Sequence, residues 1–167
     1  MTAAIVYFSL NGFVDAQARE ISRETGAELI RLEPKTPYPT KGLMKFLHGG
    51  KSALKGDAPE LKLCEFDASR YDLVIFGTPV WAGTFAPPLR TFIQTHREAL
   101  KGKRLAAFAC MMGSGGEKTV EKLREALGAD SLAASVILTD DKGKSQEKNA
   151  AALQAFIRQC RASEVNA

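Results

Sequence analysis

The sequence predicts an α/β fold in which a doubly wound, five-stranded parallel sheet carries helices on both faces. Short apolar runs rich in Val, Ile, Phe and Tyr alternate along the chain with amphipathic stretches at helical spacing. Five such runs and four clear crossover helices make a sheet whose ligands bind beyond the C-terminal ends of the strands. The 167 residues, 45% hydrophobic and 25% charged, suit one domain with a sizeable core and lie far from the composition of disordered chains.

Residues 3–8 (AAIVYF) are too short for a helix and predict a buried first strand. Val14, Ala18, Ile21 and Thr25 then recur on one helical face, and Gly26 stands where a left-handed residue stops a helix. Residues 28–32 give the second strand, ended by Pro34. Residues 35–63, rich in proline and lysine, predict an irregular connection in which residues 43–47 suit a short helix. Residues 71–77 (YDLVIFG) are the clearest strand. Pro87-Pro88 opens a helix with Leu89, Phe92, Ile93 and His96 on one face, proline being tolerated in a first turn. Residues 105–110 make the fourth strand, and residues 117–127 a helix with Val120, Leu123 and Leu127 inward and Gly128 at its end. Residues 132–138 make the fifth strand; the last helix, residues 146–161, buries Leu153, Phe156, Ile157 and Cys160.

Several function classes are excluded by composition. The N-terminus lacks the cationic and long apolar regions of a secretory signal, and no window approaches the roughly 20 apolar residues of a membrane span. Cys64, Cys110 and Cys160 are odd in number, widely spaced and without a CxxC pair, which suits reduced thiols in a cytoplasm. With only His48 and His96 and no thiol cluster, a zinc site is not expected. The formal charge of +4 resides between Pro34 and Leu63, where six lysines face Asp57 and Glu60; the remaining 17 basic and 17 acidic residues balance. So small an excess does not suit nucleic-acid binding. It fits a solvated surface excursion or a docking site for an acidic partner.

Three loops at one sheet edge carry no acidic or basic side chain: Ser9 to Val14, Thr78 to Thr84, and Met111 to Gly116. The first joins a buried strand to a helix N-terminus, where unpaired N–H groups, the helix dipole and the side chains of Ser9 and Asn11 favour a phosphate. Ser9 and Asn11 equally suit simple capping, with Gly12 permitting the turn. In the second loop Trp81 can stack on a flat ligand beside Gly83, or pack under its own loop. In the third, Gly113, Gly115 and Gly116 allow close backbone approach, as they would in a mobile connector. A Walker A loop fails because Lys118-Thr119 follows Glu117, and a dinucleotide fingerprint fails because Lys118 stands where its last glycine belongs. Gly77-Thr78 occupies the strand end where a response regulator needs its phosphoacceptor Asp.

Together these loops resemble the flavodoxin family across nearly the whole chain. YFSLNGFVDAQA resembles its phosphate loop, GTPVWAGTFAPPLRTF its third-strand loop and following helix, and FACMMGSGG its fourth-strand loop. The resemblance implies strand order 2-1-3-4-5 and noncovalent binding of flavin mononucleotide (FMN). Ser9, Leu10, Asn11, Gly12, Phe13 and Val14 would hold the phosphate. Thr78, Pro79, Val80, Trp81, Ala82 and Gly83 would flank the isoalloxazine, and Met112, Gly113, Ser114 and Gly115 its pyrimidine side. Asn11 and Val14 depart from the hydroxyl residues of the consensus, and no aromatic side chain stands in the fourth-strand loop. The implied function is electron carriage between a reductase and an acceptor. Alternatives are an FMN-dependent NAD(P)H:quinone-type oxidoreductase and a flavin-free interaction domain. Lys41, Lys45 and Lys51 become candidates for docking an acidic redox partner. Loops without carboxylates predict a flavin potential less negative than in strongly acidic flavodoxins.

Overall fold

A computed structural model describes residues 2–39 and 44–162, apart from the side chains of residues 44–49. Strands β1 (Ala3–Tyr7), β2 (Glu28–Arg31), β3 (Leu73–Pro79), β4 (Arg104–Met111) and β5 (Ala134–Thr139) pair in parallel in the order β2-β1-β3-β4-β5. The helices are α1 (Phe13–Thr25), α2 (Met44–Lys55), α3 (Pro87–Thr95), the short α4 (Arg97–Leu100), α5 (Gly116–Leu127) and α6 (Gln146–Ala162). The sheet and its strand order are those the sequence predicts.

Burial on both faces explains why the central strands read as continuous apolar runs. Ile5, Tyr7, Ile75 and Phe108 point to the face covered by α1 and α6, where Val14, Ala18, Ile21, Phe156 and Ile157 meet them. Val6, Val74 and Phe76 point to the opposite face and pack against Leu89, Phe92 and Ile93 of α3 and Leu123 of α5. Each such side chain contributes roughly 1.5–3 kcal/mol on burial. At the centre, Gly77 pairs with Tyr7 on one side and Phe108 on the other. A Cβ there would lie 2.3 Å from Phe108 Cζ and 2.9 Å from Tyr7 Cβ, so only glycine lets both rings pack at the root of the loop after β3.

The connection from β2 to β3 is more ordered than its composition suggests. Residues 44–55 form a helix three turns long in place of the short one expected at 43–47; Leu43 lies outside the described residues. Gly49 and Gly50 each weaken helix propensity by about 1 kcal/mol and so obscure the pattern, but docking of the helix overrides it. Pro34 and Leu61 form an antiparallel bridge flanked by Lys35–Glu60 and Lys62–Glu33 ion pairs, both 2.8 Å. Two of the six lysines are thereby paired, while Lys51 is exposed on α2; Lys41 lies outside the described residues, and Lys45 lies on α2.

Two smaller differences have local causes. In α5 Thr119 is fully buried together with the expected Leu123, and Val120 is only half-buried; Thr119 Oγ1 donates to the Gly115 carbonyl at 2.8 Å and so tolerates burial. β5 begins at Ala134 because Leu132 turns into the core beside α5 before pairing starts. His96 ends α3 half-buried between the rings of Phe66 and Phe92, a packing position in which burial holds its pKa below the ordinary value.

Candidate functional site

The loops leaving β1, β3 and β4 enclose a cleft of about 460 Å³ at the C-terminal edge of the sheet, a volume typical of cofactor pockets. From the first loop come Leu10, Asn11, Phe13 and Val14; from the second, Pro79, Val80, Trp81, Ala82 and Gly83; from the third, Met112, Gly113, Ser114 and Gly115. Ser9, Gly12 and Thr78 do not line it: Ser9 and Thr78 are buried, and Gly12 is exposed at its turn. Ser9 is buried because its Oγ turns back to accept from Gly12 N–H at 3.2 Å and Asp15 N–H at 3.1 Å, tying the strand to the first turn of α1. Gly12 supplies the turn itself at φ 92°. Thr78 is fully buried, its Oγ1 donating to the Pro79 carbonyl at 2.9 Å and accepting from Ala86 N–H at 3.0 Å. It fixes the base of the second loop.

A further network locks the first loop from beneath. Tyr7 donates its hydroxyl to Asp15 Oδ1 at 2.6 Å, and Asp15 also pairs with Arg19 at 2.8 Å and Arg31 at 3.6 Å. Burial, then the hydrogen bond to Asp15, pushes the Tyr7 phenol up to about 12, while the hydrogen bonds from Tyr7 and Arg19 hold the Asp15 carboxyl below its ordinary range. Arg31 Nη2 reaches the Ser9 carbonyl at 3.4 Å. The α1 N-terminus is thereby held against β1, with Asn11 Oδ1 accepting from Phe13 N–H at 3.2 Å.

The second loop is a tight hairpin turn. Trp81 and Thr84 exchange backbone hydrogen bonds of 2.9 and 3.1 Å, and Ala82 and Gly83 both lie in the left-handed region at φ 51° and 69°. That is a type I′ turn, which suits glycine at its second position and tolerates alanine at its first only under strain. A Cβ on Gly115 would lie 3.1 Å from Gly83 Cα, so the second and third loops meet backbone to backbone. Trp81 is half-buried, with its ring edge-on to Phe8 at 5.5 Å and to Tyr38 at 5.1 Å. Tyr38 in turn lies beside Ser52 of α2. Trp81 therefore both packs under its neighbours and borders the cleft. Met112, at 61% exposure, leaves the facing wall open.

Three cleft residues were not among the sequence candidates: Gly50, Cys110 and Asp140. Gly50 comes from α2 and approaches Ala82, a contact that no local pattern signals. Cys110 ends β4; burial, with the nearby Asp140 charge second, pushes its thiol far above the ordinary value, which makes it a neutral wall residue and not a nucleophile. Asp140 follows β5 and accepts from Asn11 Nδ2 at 3.1 Å, bridging the first loop to the sheet edge. Its position at a strand's C-terminal end was the available signal. The cleft therefore carries a carboxylate, which partly restores the charge repulsion that the three loops alone would lack. No group of three or more potential metal ligands occurs among the described residues, and no described helix is long and apolar enough to cross a membrane.

A doubly wound parallel sheet with a glycine-lined cleft beyond β1, β3 and β4, and a helix N-terminus opening into it, defines the class of α/β cofactor-binding domains. Residues 2–152 match the flavodoxin family, and the chain belongs to it. Solved structures agree on the fold. A flavoprotein in complex with FMN from Lactobacillus acidophilus NCFM is 24% identical, with 89% of this chain and 98% of that one covered and a TM-score of 0.68. A candidate flavoprotein from Bacteroides eggerthii DSM 20697 is 21% identical over 93% of this chain and 97% of its own, with a TM-score of 0.72. The flavodoxin of Streptococcus pneumoniae TIGR4 is 15% identical over 98% and 99%, with a TM-score of 0.53.

Proposed function

We propose that the cleft holds FMN noncovalently and that the protein carries electrons between a reductase and an acceptor. The observation that carries this reading is the convergence of the three uncharged loops on one cleft of about 460 Å³, with an aromatic wall at Trp81 and a helix N-terminus at its end. The residues fit the cofactor. Asn11 keeps a second amide N–H beyond the one given to Asp140, a donor of the kind a phosphate takes, and the N-terminus of α1 borders the same cleft. The type I′ turn presents Trp81 and the Ala82–Gly83 peptide to a flat ring, and the Gly113 to Gly115 backbone can approach a polar ring edge. Ser9 and Thr78 support these loops from behind.

Bound flavin would supply the redox chemistry, and the chain's part is to bind, orient and shield it. Lys51, exposed on α2 beside the Gly50 wall, supports docking of an acidic partner near the cleft mouth. Equimolar quenching of added FMN fluorescence by the purified protein at micromolar concentration is the expected result; unquenched flavin contradicts the reading.

The exposed Met112 favours a second reading, an FMN-dependent reductase in which a hydride donor and a quinone-type acceptor use the open face in turn. Steady NAD(P)H consumption with a quinone and no added reductase selects it. Absence of turnover selects the carrier.

A further inference from the structure

The Asn11–Asp140 clasp sits where the first loop meets the end of β5. We infer that Asp140 is a specificity residue that disfavours phosphate at the α1 N-terminus, so that the chain discriminates less between phosphorylated and unphosphorylated flavins than its loop alone would. The inference rests on the reading of the cleft as a flavin site, but it concerns a residue outside the three loops.

The amide of Asn11 is engaged on both sides: its oxygen accepts from Phe13 N–H at 3.2 Å, and one of its two Nδ2 hydrogens goes to Asp140 Oδ2 at 3.1 Å. The Gly12 and Asp15 N–H groups are likewise taken, by Ser9 Oγ at 3.2 and 3.1 Å. Much of the donor set at this helix end is therefore satisfied within the protein, and the carboxylate is the only charged side chain bordering the cleft among the described residues. Asp140 is itself anchored through its own backbone, its N–H donating to the Met111 carbonyl at 2.8 Å, so the carboxylate stays at this edge.

An anion that draws a hydrogen bond from Asn11 Nδ2 must replace this carboxylate or sit beside it. Two like charges a few ångström apart at a half-exposed site repel appreciably, and the repulsion acts on the phosphate alone. A flavin without phosphate makes no such demand. Arg31 and Arg19, the cations held at the first loop, are drawn to Asp15. Removing the charge while keeping the shape leaves the Asn11 donor available to phosphate.

The test is Asp140→Asn in the full chain, titrated with FMN, riboflavin and inorganic phosphate separately. Flavin binding is read by fluorescence quenching, and phosphate binding by the amide shifts of Phe13 and Val14 in NMR. The variant is expected to bind FMN about three- to tenfold tighter and to leave riboflavin within twofold, so the FMN-to-riboflavin preference rises by that factor; inorganic phosphate tightens in parallel. The inference is overturned if FMN and riboflavin change by the same factor, as they would if Asp140 accepted from the ribityl chain, or if the phosphate affinity is unmoved. Wild-type protein that binds neither flavin refutes the flavin reading, and the phosphate titration then decides the role of Asp140 independently. Asn11→Ala, which keeps the carboxylate and removes the donor, is expected to weaken FMN and phosphate while sparing riboflavin.

Discussion

Gly77→Ala adds a single methyl at the point where β1, β3 and β4 are most tightly packed. The new Cβ would fall 2.3 Å from Phe108 Cζ, 2.6 Å from Phe108 Cε1 and 2.9 Å from Tyr7 Cβ, where ordinary contact begins at 3.4 Å. Neither neighbour can yield easily. Phe108 is completely buried, and Tyr7 is held by its 2.6 Å hydrogen bond to Asp15. A displacement of about 1 Å must therefore be shared by a central strand and a packed ring, which places the cost near the top of the usual overpacking range, about 3 kcal/mol. With an m-value of about 2 kcal/mol/M, the urea midpoint should fall by about 1.5 M, and the thermal midpoint by roughly 6–12 °C. Combining it with Phe108→Leu should recover at least about 1 kcal/mol in a double-mutant cycle, because the smaller side chain vacates the contested space. A midpoint shift in Gly77→Ala below about 0.3 M, or no coupling to position 108, would refute the packing argument.

Thr78→Val keeps the shape but leaves the buried Ala86 N–H without its acceptor, so it should cost about 1–3 kcal/mol in urea unfolding, while Thr78→Ser stays close to wild type; equal stability of all three would count against a structural hydroxyl. Tyr7 should make the fold sensitive to alkali: with a folded pKa of about 12 against an ordinary value of 10.0, its stabilisation is complete below pH 10 and is lost as pH rises toward 12. Melting curves between pH 8 and 11.5 should show that loss, and Tyr7→Phe should flatten it. On the acid side the depressed Asp15 acts oppositely, its contribution present above its unfolded value and lost as pH falls through its folded one. Trp81→Ala should weaken FMN binding by about 5- to 30-fold, equivalent to about 1–2 kcal/mol, with the urea midpoint changed far less than in Gly77→Ala; an unchanged dissociation constant would remove Trp81 from the ring site.

The sheet was legible because its signal is local. Residues 3–8 and 71–77 are apolar on both faces, and Gly26 and Gly128 stop α1 and α5 where a left-handed residue is needed. The cleft loops were legible for a related reason: each lies in the few residues after a recognisable strand. Asp140, Cys110 and Gly50 were not, for three different reasons. Asp140 belongs to the loop after β5, whose carboxylate reads as surface charge until Asn11 is seen opposite it. Cys110 looks like an ordinary strand terminus, and Gly50 reaches the cleft only through the docking of α2 on Ala82. Ser9 and Thr78 show the converse limit. Residue type marked them as polar groups at the right edge, but a hydroxyl that faces a ligand and one that ties its own loop are identical in sequence.

The most direct test of the flavin assignment is an amide-shift map of the protein titrated with FMN. One-to-one saturation should move the resonances of Leu10 to Val14, Val80 to Gly83 and Met112 to Gly115 together, with Asp140 responding at the edge. Saturable shifts elsewhere on the surface, or none with FMN in excess, would contradict the assignment of this cleft.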